Sequence, residues 1–193
     1  MAARFPHAYV LNVLSDDHPG IVAAVSDAVS RFDGNIDAVA QTVLDGYFSL
    51  VMIVSFPSPL EPETLAAEVR GPAKADRGFA VNVRPFVPVK TSGIKVERFV
   101  LTAFGKDKPG IIRRLSRCLA GKDVNIVDLH WECRGDDFVM VSQVDVPADR
   151  EIAALQSDLE AMGREEGFTA RLQHENVFVA TNQLVLRRNF VNP

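Results

Sequence analysis

The sequence predicts an α+β fold of two βαββαβ units in tandem, each an antiparallel sheet with two helices on one face. Three observations predict it. A repeat runs through the chain at a single offset of 90, which takes Pro19 to Pro109. Apolar residues follow a Pro-Gly pair at helical spacing in both copies. A hairpin signal then separates two strand-like runs in both copies.

The repeat is detailed. His18-Pro19-Gly20-Ile21 recurs as Lys108-Pro109-Gly110-Ile111, and Asn35-Ile36 as Asn125-Ile126. Asp17, Phe48, Val51 and Pro57 recur as Asp107, Phe138, Val141 and Pro147. One register kept across a helix, two strands and a turn means two copies of one fold.

Each element has its own reason. Tyr9–Leu14 and Arg98–Phe104 are runs of β-formers. The first helix of copy one places Ile21, Val22, Val25, Ala28, Val29 and Phe32 along one face, and copy two answers with Ile111, Ile112, Leu115, Cys118 and Leu119. Asp33-Gly34-Asn35 is read as the helix exit, with Gly and Asn taking the left-handed conformation. Ile36–Leu44 and Tyr47–Phe56 are strands about Asp45-Gly46, a two-residue hairpin signal. Their counterparts are Ile126–Cys133 and Phe138–Val146, about Arg134-Gly135-Asp136. Second helices open near Glu63 and Asp149, and last strands run Phe79–Arg84 and Phe168–Glu175. That order is the ferredoxin-like unit. The expected domains are residues 7–84 and 95–180, joined by a Pro-rich linker over 85–94 and followed by a tail, 181–193, with no assigned place.

Composition narrows the function classes. With 47% apolar and 24% charged residues the chain is expected to pack a core. No apolar run approaches the ~20 residues of a bilayer span, and no signal peptide is read at the N-terminus. Cys118 and Cys133 form no CxxC pair, which suits a reducing, cytoplasmic setting. A net charge of -4 is a poor start for tracking a phosphate backbone. The charge is uneven: Lys106, Lys108, Arg113, Arg114, Arg117 and Lys122 crowd the first helix of copy two, whereas Asp16, Asp17, Asp27 and Asp33 surround that of copy one. A solvated face, attraction between the copies, or an anionic partner are the readings open to that asymmetry. The four histidines show no metal-ligand spacing, and no Gly-rich nucleotide loop is present. No metal or cofactor is expected, and no direct nucleic-acid contact.

Asp17-His18-Pro19-Gly20-Ile21-Val22, a helix, then Gly34-Asn35-Ile36 resembles the signature of the ACT domain family. Asp107-Lys108-Pro109-Gly110-Ile111-Ile112 followed by Val124-Asn125-Ile126 resembles it equally. Two such units in tandem most resemble the glycine-cleavage-system transcriptional repressor family. The segment PGIVAAVS also resembles the ACT segment of formyltetrahydrofolate deformylases, whose catalytic domain has no counterpart in these residues. The resemblance implies a regulatory protein that is not an enzyme and binds a small amino acid, glycine- or serine-like, at the seam of two units. It further implies a protein partner, and a homodimer is compatible with it.

The residues suit such a ligand. N–H groups around Gly20, Ile21 and Val22 stand at the positive end of a helix, a seat for a carboxylate. Asp17 can accept from an α-ammonium, and Asn35 can both donate and accept. Copy two offers Gly110, Ile111, Ile112, Asp107 and Asn125, and His18 and Lys108 occupy matching places in the two loops. The expected clefts pair the Asp17–Val22 loop with Asn125, and the Asp107–Ile112 loop with Asn35. Plainer roles compete: Asp17 and Asp107 as N-caps, Asn35 and Asn125 as turn residues, Gly20 and Gly110 as packing residues. A ligand-free scaffold module and a small hydrolase on the same fold are the rival functions.

Overall fold

In the computed structural model, residues 3–71, 79–88 and 93–182 are described. Two compact units divide the chain, Met1–Lys90 and Thr91–Pro193. Residues 89–92 of the expected linker and 183–193 of the expected tail lie outside the described residues.

Unit 1 runs β1 (His7–Asp16), α1 (Ile21–Ser30), β2 (Asn35–Leu44), β3 (Tyr47–Phe56), α2 (Pro62–Arg70) and β4 (Ala80–Pro85). Unit 2 repeats the order as β5 (Val96–Lys106), α3 (Ile111–Ala120), β6 (Asn125–Arg134), β7 (Asp137–Pro147), α4 (Ile152–Glu166) and β8 (Phe168–His174). The sheets are β2-β3-β1-β4 and β6-β7-β5-β8, with every neighbouring pair antiparallel. The expected α+β, twice-repeated ferredoxin-like architecture is the observed one.

Strand alternation builds each core. On β1, Tyr9, Leu11 and Val13 are buried, and they pair with Val54, Met52 and Leu50 of β3. Helix α1 closes over them with Ile21, Val25, Ala28 and Val29. In unit 2, Phe99, Leu101 and Ala103 meet Val144, Ser142 and Met140 under Ile111, Leu115 and Leu119. Cys118 is half-buried against that core, and burial pushes its thiol above the usual range. Val22 and Ile112, expected on the buried faces, are instead exposed.

The connections correct three expectations. At the α1 exit the left-handed residue is Asp33 (φ 55), repeated at Asp123 (φ 58), and Gly34 is not at positive φ. A Cβ on Gly34 would lie 2.4 Å from the Phe56 ring and 2.8 Å from Val29. Close approach to the core, not turn geometry, therefore requires glycine there. The β2–β3 hairpin holds both central residues at positive φ, Asp45 (48) and Gly46 (82), as a type I′ turn demands. In unit 2 Arg134 is the last residue of β6, and of the two loop residues only Gly135 has positive φ. The third difference is a helix, α5 (Glu175–Asn182), packed against β5 and β8 where strand end and tail were expected.

Candidate ligand-binding loops

His18-Pro19-Gly20-Ile21 and Lys108-Pro109-Gly110-Ile111 are tight turns that deliver the chain into α1 and α3. Gly20 sits at φ 98, ψ -6 and Gly110 at φ 96, ψ 2, the values of the third residue of a type II turn, with proline preset in the second. In unit 2 the turn is closed by the Ile111 N–H, which donates to the Lys108 carbonyl at 3.5 Å. Proline thus stands before the N-cap, not at the first helical residue.

The glycines themselves are the N-caps, and neither helix has a capping side-chain hydrogen bond. That removes N-capping as the role of Asp17 and Asp107. It leaves the first-turn N–H groups, Val22 and Ile112 among them, at the positive end of the helix dipole without a side-chain acceptor. A Cβ on Gly20 or Gly110 would meet nothing within 4 Å, so packing does not require these glycines; their φ does, and the space beside them is open. Replacing Gly110 with alanine is expected to cost about 1–2 kcal/mol, read by chemical denaturation. An unchanged midpoint would show that the turn accepts an L side chain.

Each loop is anchored to the tip of its neighbouring hairpin. The Asp17 N–H donates to the Gly46 carbonyl at 2.8 Å, and Asp107 N–H to the Asp136 carbonyl at 2.8 Å. Position 18/108 reaches the other way, toward the start of the last strand. The His18 ring stacks on Phe79 at 6.3 Å, with Nδ1 3.0 Å from the Pro19 carbonyl. Lys108 Nζ donates to the Glu166 carbonyl at 2.7 Å, placing its charge on the C-terminus of α4, where a cation is favoured. Ile21 and Ile111 anchor the turns through buried side chains.

Asn35 and Asn125 begin β2 and β6, whereas the loops lie at the far, hairpin end of the same strands. Ten residues of extended chain put roughly 30 Å between them. Within one unit, loop and asparagine are therefore not brought together. Asn35 Nδ2 donates to Asp37 at 2.9 Å, and its Oδ1 faces Arg4 at 3.5 Å.

Surroundings of the loops that the sequence did not disclose separate the two copies. In unit 2, Trp131 Nε1 donates to Cys133 Sγ at 3.2 Å, and the thiol reaches Asp107 Oδ2 at 3.5 Å. Trp131 lies flat on Phe138 at 4.1 Å. Unit 1 has Gln41 and Val43 at those positions. Half of the basic crowd around α3 is ion-paired inside its own unit: Lys106 pairs with Asp137 at 3.0 Å, Lys122 with Asp158 at 2.5 Å, and Arg114 with Glu166. That favours the solvated-face reading of the charge asymmetry. Among the described residues, no three His, Cys, Asp or Glu side chains gather as a metal site, and no helix is long and apolar enough to cross a membrane.

Comparison with known proteins agrees with the repeat. The ACT domain model matches residues 7–78 and again 97–173. A UPF0237 protein of Methanococcus maripaludis is 37% identical over 84 residues, which is 43% of this chain and 93% of the relative. The solved structure of an unknown protein from Galdieria sulphuraria shares the fold with a TM-score of 0.72 at 24% identity, covering 87% of this chain and 98% of that one. A protein provisionally described as a glycine cleavage system transcriptional repressor does so with a TM-score of 0.65 at 16% identity, over 86% and 96% of the two chains. With both of its units matched and most of its length accounted for, the chain belongs to the ACT domain family.

Proposed function

We infer that this chain is a non-enzymatic regulatory protein that seats a small amino acid, of glycine or serine size, on its Pro-Gly turns and signals occupancy to a protein partner. The observation that carries this reading is the pair of helix starts without a capping side chain, each opened by a glycine with free space beside it. A carboxylate is the group such a start accepts best. Asp17 and Asp107, which cap neither helix, stand next to the turns as acceptors for an ammonium.

The asparagines enter through the partner unit. Because loop and asparagine occupy opposite ends of β2 and of β6, two units set edge to edge in opposite directions would bring Asn125 to the Asp17–Val22 loop and Asn35 to the Asp107–Ile112 loop. The strips that would meet are apolar: Val22, Val39 and Val43 on one unit, Ile112, Leu129 and Trp131 on the other, with both valines of β2 exposed. Ligand would then stabilise one arrangement of the units, and the partner would read that arrangement.

The test is thermal stability of the full chain with each of the common amino acids. At ~100 times the dissociation constant, a ligand that binds only the folded state adds about 2.7 kcal/mol, a clear rise in melting temperature. Asn125→Ala is expected to weaken that response about ten- to a hundred-fold in affinity, since a hydrogen bond to a charged group contributes ~1.5–3 kcal/mol, while leaving the ligand-free melt in place. No response to any amino acid would overturn the proposal and favour a scaffold role.

A further inference from the structure

The two copies differ in what their candidate residues already hold. In unit 1, Asn35 is engaged at both ends of its amide: Nδ2 donates to Asp37 Oδ1 at 2.9 Å, and Arg4 Nη1 approaches Oδ1 at 3.5 Å. The same Asp37 oxygen accepts the Arg4 backbone N–H at 2.9 Å, and the Phe5 N–H donates to Ser55 Oγ at 3.2 Å. The chain at Arg4 and Phe5 is thus tied down beside the start of β2. Asp37 Oδ2 is buried and has no partner among the described residues, so that carboxylate depends on Asn35 and Arg4 for its donors. Asn125 is in the opposite position. Valine stands at 127 where unit 1 has Asp37. The Asn125 side chain is exposed and makes no hydrogen bond among the described residues. Asp145, which faces it across the strand pair, is taken up by Arg98 at 2.8 and 3.0 Å.

The acids of the loops divide in the matching sense. Asp107 Oδ2 lies 3.5 Å from the Cys133 thiol, which itself accepts from Trp131 Nε1 at 3.2 Å. Unit 1 has Val43 in place of that cysteine. The Asp17 carboxylate is exposed and has no partner among the described residues. Asp17 and Asn125 are therefore both free, whereas Asp107 and Asn35 are both engaged.

We propose that the chain takes one amino acid, not two, on the Asp17–Val22 loop with Asn125, and that Arg4, Asp37 and Cys133 hold the second set closed. The inference rests on the amino-acid-binding function proposed above and names which of its two sets of residues works. A ligand on the second set must first break the bond from Asn35 to a carboxylate, the stronger kind of hydrogen bond. It would also leave Asp37 short of a donor. A contact of that kind lowers affinity about ten-fold or more. The thiol is a weak donor and adds less, by occupying one oxygen of Asp107. On the first set there is nothing to break.

Isothermal titration of the full chain with glycine, and separately with L-serine, tests the inference. One site per chain is expected. Asn125→Ala should weaken binding about ten- to a hundred-fold, whereas Asn35→Ala should leave the dissociation constant unchanged. Asp37→Val with Cys133→Val, which gives each position the residue of the other copy, should raise the stoichiometry to two per chain. Should that pair disturb folding, the two asparagine variants still decide. Two equal sites in the unaltered chain, equal losses from the two asparagines, or a folded double variant that still takes one ligand would overturn the inference while leaving amino-acid binding intact. Binding of neither amino acid, in heat or in melting temperature, would overturn the function itself and the inference with it.

Discussion

Replacing Gly34 with valine is expected to destabilise unit 1 by about 3 kcal/mol, and trimming Phe56 to valine in the same chain to recover part of that loss. The Cβ of any residue at 34 would sit 2.4 Å from Phe56 Cε1 and 2.8 Å from Val29 Cγ1, closer than core atoms tolerate. Phe56 cannot simply turn aside, because Tyr9 and Phe32 pack edge-on against it at 5.8 and 6.3 Å. Unit 2 shows the alternative solution at the same positions, with Val124 in place of the glycine and Val146 in place of the phenylalanine, both buried. Phe56→Val by itself leaves a cavity and should cost ~2–4 kcal/mol. A double-mutant cycle by urea denaturation should give a favourable coupling of at least ~1 kcal/mol. Strict additivity would show that the two positions do not share one volume.

Gly163→Ala is the second large effect, and its sign runs against helix propensity. Alanine inside a helix is ordinarily better than glycine by ~1 kcal/mol. Here the Phe168 backbone is wedged between α4 and β5: a Cβ on Gly163 would lie 2.4 Å from the Phe168 carbonyl oxygen, and one on Gly105 would lie 2.5 Å from Phe168 Cα. The obstacle in each case includes main chain, which cannot swing away as a side chain can. The expected net loss is about 3 kcal/mol in unit 2. Because the same crossing positions the Glu166 carbonyl that holds Lys108, the loop of unit 2 should loosen as well, seen as faster amide exchange near Gly110. A stabilised Gly163→Ala variant would mean that α4 can shift outward freely.

These positions mark where sequence reasoning reaches and where it stops. The fixed offset and the apolar spacing determine every strand and helix of the two copies, because periodicity is a local property that the core merely selects. Gly34 was legible as a turn and not as a contact, since its neighbour Phe56 is distant in sequence and only folding brings the ring beneath it. Helix α5 was hidden because Val177, Phe178 and Val179 are β-formers, and packing on β5 and β8 overrides that preference. At the candidate site the place of the turns was legible from Asp-x-Pro-Gly, whereas the left-handed backbone that requires their glycines was not read. The engagement of Lys108 with a carbonyl 58 residues away and the Trp131–Cys133–Asp107 chain have no local signal at all. The asparagines show the same limit in reverse: their recurrence is plain, but their distance from the loops depends on strand length and direction.

The stacked pair Trp131 and Phe138 has a practical consequence. Trp131 is the single tryptophan of the chain, so its emission is a chromophore label for unit 2, placed there by the sequence without any engineering. Far-ultraviolet ellipticity sees both units, and subtracting the optical transition of the indole from it isolates the melting of unit 1. The indole is also wired through the Cys133 thiol to Asp107, and thiols quench indole fluorescence. Any event that draws the Asp107 carboxylate away should therefore appear as a change in brightness before any unfolding begins.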